Sequence, residues 1–147
     1  MKVEDLMIGD WVHLISTIHN VSFPDNGVIQ DEGYTTIRTP IKITTVSENC
    51  VSYYSNKLEV YITVSSEEIE PIPLTPEILE KNGFEKHISD IRMFFQHGEY
   101  HLSYYIVNKH FTIYNQIDGS LVQRVIVNAH ELQHALKLCG IDKEIIV

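Results

Sequence analysis

Glu70-Pro71-Ile72-Pro73-Leu74-Thr75-Pro76 is the stretch on which the reading of this chain turns. Its three prolines fix φ, remove backbone donors and push the residues before them toward extended geometry, so regular structure is expected to stop here. The segment divides the 147 residues into a unit over 1–70, a linker over 71–76 and a unit over 77–147. That length suits one domain or two very small ones and suffices to bury a useful core.

Upstream of the prolines the chain reads as strands and turns. Trp11-Val12-His13-Leu14-Ile15 begins a strand, and Pro24-Asp25-Asn26-Gly27 is a strong turn because Asn-Gly favours positive φ. Apolar residues recur at Ile37, Ile41 and Ile43 around Pro40, which marks an edge or a bulge. Val51 to Tyr54 and Leu58 to Val64 form a hairpin hinged at Ser55-Asn56-Lys57. Five short strands at this spacing predict an N-terminal β-rich small barrel similar to SH3-like modules.

Downstream, Thr75 caps a short helix with Pro76 at its first position, Glu77 in its first turn and Gly83 just past its end. Four strands are expected next, over 91–96, 100–107, 111–117 and 120–127, with Asp118-Gly119 closing the last hairpin. In Phe111-Thr112-Ile113-Tyr114-Asn115-Gln116-Ile117 the odd positions other than Asn115 are apolar, the period of a half-buried strand. A terminal helix over Ala129 to Cys139 then lies across the sheet. The expected class is α+β: barrel, helix, four-stranded antiparallel meander, C-terminal helix.

That last helix carries His130-Glu131-Leu132-Gln133-His134, the H-E-x-x-H spacing of zinc peptidases. Two histidines four apart share a helix face and can reach one zinc ion, with Glu131 as general base on its water. Catalytic zinc also needs a third protein ligand, and the extended motif fails, since Lys137 and Gly140 stand where glycine and histidine are required. Leu132, Ala135, Leu136 and Cys139 form an apolar stripe that leaves His130 and His134 on the opposite, solvated side. Asn128-x-x-Glu131 reads as a capping box and Gly140 as the residue after the helix, so Glu131 has a structural role without catalysis.

Twenty acidic against eleven basic residues give a net charge of −9 with His neutral, which disfavours nucleic acid and anionic membrane surfaces as partners. Cys50 and Cys139 are the only thiols and are expected to be reduced and partly buried. There is no apolar leader and no run of eighteen apolar residues, so a soluble cytoplasmic protein is expected. His97, His101 and His110 are expected as exposed loop histidines with ordinary pKa values. No serine has a G-x-S-x-G setting and no glycine-rich loop suits phosphate. Tyr53-Tyr54, Phe94-Phe95 and Tyr104-Tyr105 each send one ring to either side of a sheet. One ring of each pair enters the core, while the other must be covered within the chain, by self-association or by a protein partner.

Pro71-Ile72-Pro73-Leu74-Thr75-Pro76-Glu77, Leu79 and Gly83-Phe84-Glu85, with His130-x-Leu132-Gln133 in the last helix, resemble a family of small uncharacterised proteins of gut bacteria and their prophages or mobile elements. Its members open with a similar Leu6-x-Ile8-Gly9-Asp10-x-Val12, so the resemblance runs nearly the whole length. It implies no established activity, and a terminal pattern that requires the first His, the Leu and the Gln without requiring His at 134. The expected function is a non-enzymatic protein-interaction module without a cofactor. The alternative is a zinc-dependent hydrolase with His130 and His134 as ligands and Glu131 as base.

Overall fold

The computed structural model describes residues 2–22, 30–89 and 92–147. The chain forms two compact units, Met1–Ile8 with Val12–Glu70, and Gly9–Trp11 with Pro71–Val147. The expected Pro24–Gly27 turn and Ile91 lie outside the described residues.

The first unit holds, apart from the end residues Trp11 and Pro71, β1 (Trp11–Ser22), β2 (Gln30–Val46), β3 (Cys50–Ser55), β4 (Val60–Ser65) and β5 (Ile69–Pro71), in the sheet order β4-β3-β2-β1-β5. Its core is aliphatic: Val3, Leu6, Val12, Ile41, Ile43, Val51 and Ile69. Pro40 does not interrupt β2, and the pairing with β3 runs from Ile43 to Val46, past the proline. The irregularity expected near it falls between Ile43 and Thr45, where the register shifts.

The second unit holds α1 (Pro76–Lys81), β6 (Glu85–Ser89), β7 (Arg92–His97), β8 (Tyr100–Tyr105), β9 (His110–Asn115), β10 (Leu121–Ile126) and α2 (Ala129–Leu138). Its strands run in the order β10-β9-β8-β7-β6, each pair antiparallel. The α+β expectation is therefore overturned. The described residues are mostly β, with two five-stranded antiparallel sheets and two short helices among them, in place of a barrel followed by helix, four-stranded meander and helix.

The strand missing from the expected meander is β6. Glu85-Lys86-His87-Ile88-Ser89 has a single apolar residue and no period of two, yet it pairs with β7 over five consecutive residues. An outer strand is held by backbone bonds on one side and needs little apolar surface, so hydrophobic periodicity does not reveal it.

Helix ends follow the local chemistry. Thr75 Oγ1 accepts from the Ile78 N–H at the start of α1. Gly140 adopts φ +73° after α2, where its N–H reaches the Lys137 carbonyl and the Ile141 N–H reaches Leu136, the two bonds of a Schellman ending. The proline segment is not a bare linker. Ile72 and Leu74 are buried in the second core, their backbone bonding to Ala129 and Val127. Above the sheet residues Phe95, Leu102, Ile113 and Ile126, helix α2 buries Leu132, Ala135 and Leu136 completely. Each leucine contributes roughly 1.5–3 kcal/mol by leaving water. No helix among the described residues is long and apolar enough to cross a membrane.

Candidate functional site

The last helix was expected to turn its histidines to water, and it does not. His130 is only 6% exposed, and the His134 side chain is largely covered. What covers that side is the segment Gly9–Trp11, more than a hundred residues upstream in sequence and part of the same unit. Asp10, fully buried, directs both carboxylate oxygens at His134 Nε2, at 2.9 and 3.1 Å. A carboxylate only accepts, so Nε2 carries the proton. Trp11 packs against the second core and its indole N–H donates to Glu144 at 3.3 Å.

The remaining parts of the H-E-x-x-H motif are held apart from one another's chemistry. Glu131 accepts the backbone N–H groups of Val127 at 2.6 Å and Asn128 at 3.0 Å, the carboxylate half of a capping box. The rings of His130 and His134 meet edge-on, their centroids 5.8 Å apart. Gln133 bonds neither the sheet nor the proline segment. It clamps the C-terminal stretch instead, donating to the Lys143 carbonyl at 2.5 Å and accepting the Ile145 N–H at 2.6 Å. Among the described residues no group of three or more His, Cys, Asp or Glu is disposed to hold a metal ion. Asp10 was the residue that sequence reasoning missed. Its signal, an acid between Gly9 and the apolar Trp11-Val12, was present but named no partner.

The doubled aromatics divide as strand alternation requires. Tyr53 packs on the first core while Tyr54 is exposed beside Tyr61, their centroids 5.1 Å apart. Phe95 is fully buried and Tyr104 packs on the second core against Phe111. Phe94 and Tyr105 take the other face of the second sheet, Tyr105 with 45% of its surface exposed.

On that face the register builds a band of rings across four strands. His87 stacks on Phe94 at 4.9 Å, Phe94 meets His101 edge-on at 6.2 Å, and His101 stacks on Tyr114 at 5.4 Å. Tyr105 stacks on His110 at 4.8 Å. Three of these four contacts join directly opposed cross-strand residues, the pairs that stabilise a sheet face. Beside the band runs a groove of about 720 Å³, lined by His101, Ser103, Tyr105, Ile106, Val107 and Tyr114 among others.

The expectation of exposed loop histidines is corrected accordingly. His97, His101 and His110 are strand residues, each partly buried against a ring: Phe84, Tyr114 and Tyr105 respectively. Burial holds His101 below the usual histidine range. His97 is lowered by burial first and by Lys143 second, against an opposing hydrogen bond to the Gly83 backbone. Cys50 and Cys139 are free and half-buried, and burial pushes the Cys139 thiol up, away from a reactive thiolate.

Comparison with protein-family models, with curated proteins and with solved structures finds no match to this chain.

Proposed function

We propose that the protein is a non-enzymatic interaction module whose outer face on the second sheet receives a protein partner. The observation that carries this reading is the groove on that face. It sets the stacked rings of His101 and Tyr114, with Tyr105 near them, beside an apolar rim of Ile106 and Val107, where Val107 is 93% exposed. Rings held rigid by cross-strand stacking offer contact area at little entropic cost, and aromatic residues are enriched at protein interfaces. Two free cysteines suit a reducing, cytoplasmic setting.

The resemblance at Pro71–Glu85 and along α2 supports placing the protein among prophage and mobile-element proteins, so neighbouring genes are the first candidates for the partner. The test compares the wild-type protein with Phe94→Ala/Tyr105→Ala as immobilised baits. One protein retained by the wild type and lost from the variant supports the reading; equal capture refutes it. The metallohydrolase alternative would replace it if tag-free protein held stoichiometric zinc that His134→Ala removed, with a hydrolytic activity abolished by Glu131→Gln.

A further inference from the structure

The outer strands of a sheet present unpaired N–H and C=O groups, and natural proteins blunt them with charge, proline, bulges or short length. The described sheets have four such strands. Three are blunted: β5 spans three residues and includes Glu70 and Pro71, β6 carries Glu85 and Lys86, and β10 carries Arg124 and two register shifts against β9. The fourth is β4. Val60-Tyr61-Ile62-Thr63-Val64-Ser65 has no charge and no proline, and it pairs with β3 through six consecutive residues without a break.

We infer that β4 is a self-association edge, at which the β4 strands of two copies of this chain pair antiparallel about a two-fold axis through Ile62. This goes beyond the groove on the second sheet and does not depend on it.

Two observations select a second copy as the occupant. The first is charge. A chain of net charge −9 repels its own copies, so copies can meet closely only along an uncharged strip, and β4 alone among the outer strands provides one. The second is self-complementarity. Tyr53 opposes Ile62 and Val51 opposes Val64, and Val51 and Tyr53 belong to the core side. Val60, Ile62 and Val64 therefore share that side, and Tyr61 and Thr63 take the other.

Antiparallel pairing centred on Ile62 sets Ile62 beside its copy, Val60 beside Val64, and Tyr61 beside Thr63. The axis stands perpendicular to the sheet, so both copies keep their apolar side on the same face. A one-residue slip would turn apolar against polar positions and is disfavoured. The contact is isologous, as closed dimers require. Tyr61, 71% exposed and edge-on to Tyr54, then covers the neighbouring Thr63.

Sedimentation of the full chain tests this. The expected result is a mass twice that of one chain; a monomer across the micromolar to millimolar range overturns the inference. Tyr61→Lys/Thr63→Lys sets lysines opposite each other at both crossings and should return the protein to monomer, although it makes the net charge less negative. Tyr61→Lys/Thr63→Glu, which opposes unlike charges at the same crossings, should restore the dimer. A dimer that survives the double lysine variant, or no recovery in the Lys/Glu variant, refutes pairing at β4. Hydrogen exchange on the wild type needs no variant: β4 amides should slow as protein concentration rises. Rates independent of concentration, or slowed only by adding a different protein, overturn the second-copy assignment.

Discussion

The two sheets have the same number of strands and the same antiparallel pairing, yet they are finished differently. The second is roofed by α2, whose leucines, together with Phe84, Ile145 and the proline-segment residues Ile72 and Leu74, enclose a core rich in aromatic rings. The first has a smaller aliphatic core, and its described residues include no α-helix. A helix roof seals one face of a sheet and leaves the opposite face free to carry rings for another purpose. A sheet without such a roof relies on its hairpins and, at β4, keeps an edge that is not blunted. The difference lies in what each sheet is given to bury against and in the strands themselves, which run from three to seventeen residues in the first sheet and five or six in the second.

The sharpest way to break this contrast is to open the roof. Leu132→Ala removes a fully buried side chain over the second sheet and should cost about 2–5 kcal/mol, measured by denaturant unfolding. Trp11, the only tryptophan, packs on that core and makes its fluorescence the natural reporter. A cost below about 1 kcal/mol, smaller than core truncations give, would mean that the helix is not what completes the sheet.

A smaller effect is expected from the strap that crosses the histidine side of α2. Asp10→Ala leaves the His134 N–H without its buried acceptor and should cost about 1–3 kcal/mol. In the variant the His134 ring resonances should broaden or shift, while amide exchange in β3 stays as in the wild type. An unchanged His134 environment would show that the contact contributes nothing.

Smaller again is the cap. Glu131→Ala removes the acceptor for the Val127 and Asn128 N–H groups and should cost about 1 kcal/mol, within the range for helix caps. Glu131→Gln should recover part of that loss, because an amide oxygen still accepts. A variant as stable as the wild type would remove the structural account of Glu131 and revive a chemical one.

The smallest effect is in pH. His97 and His101 lie below the ordinary histidine value in the folded protein, whereas in the unfolded chain they titrate near about 6.5. Between the folded and unfolded values the unfolded chain binds more protons, so stability rises with pH there and falls as pH drops through about 6.5 into that window. The melting temperature read from Trp11 should therefore decline on acidification. His101→Phe keeps a ring on Tyr114 but cannot take a proton, so the decline should be shallower. An identical pH profile in that variant would exclude His101 as a contributor.

Much of the backbone plan was legible because it is written locally. Thr75 with Pro76, Glu131 at the start of α2, Gly140 after it, and the Asp118-Gly119 turn, where Gly119 has φ +70°, act within a few residues of their own positions. The alternation of Phe111, Ile113 and their neighbours placed Tyr114 on the outer face for the same reason. Strand β6 was not legible, because an outer strand is specified by its neighbour's free backbone groups and not by its own apolar pattern.

The sequence by itself determined where most helices and turns begin and end, that the two rings of each aromatic pair take opposite faces, and the charge that copies of the chain must overcome to meet. These follow from backbone stereochemistry and from periods that each segment carries in its own residues. Only the tertiary structure decided that the histidines of α2 are covered. A helical wheel correctly put them opposite the apolar stripe, but it holds no information about a strap supplied from Asp10. Burial is a property of what else arrives at a surface, and contacts across more than a hundred residues leave no local period to read.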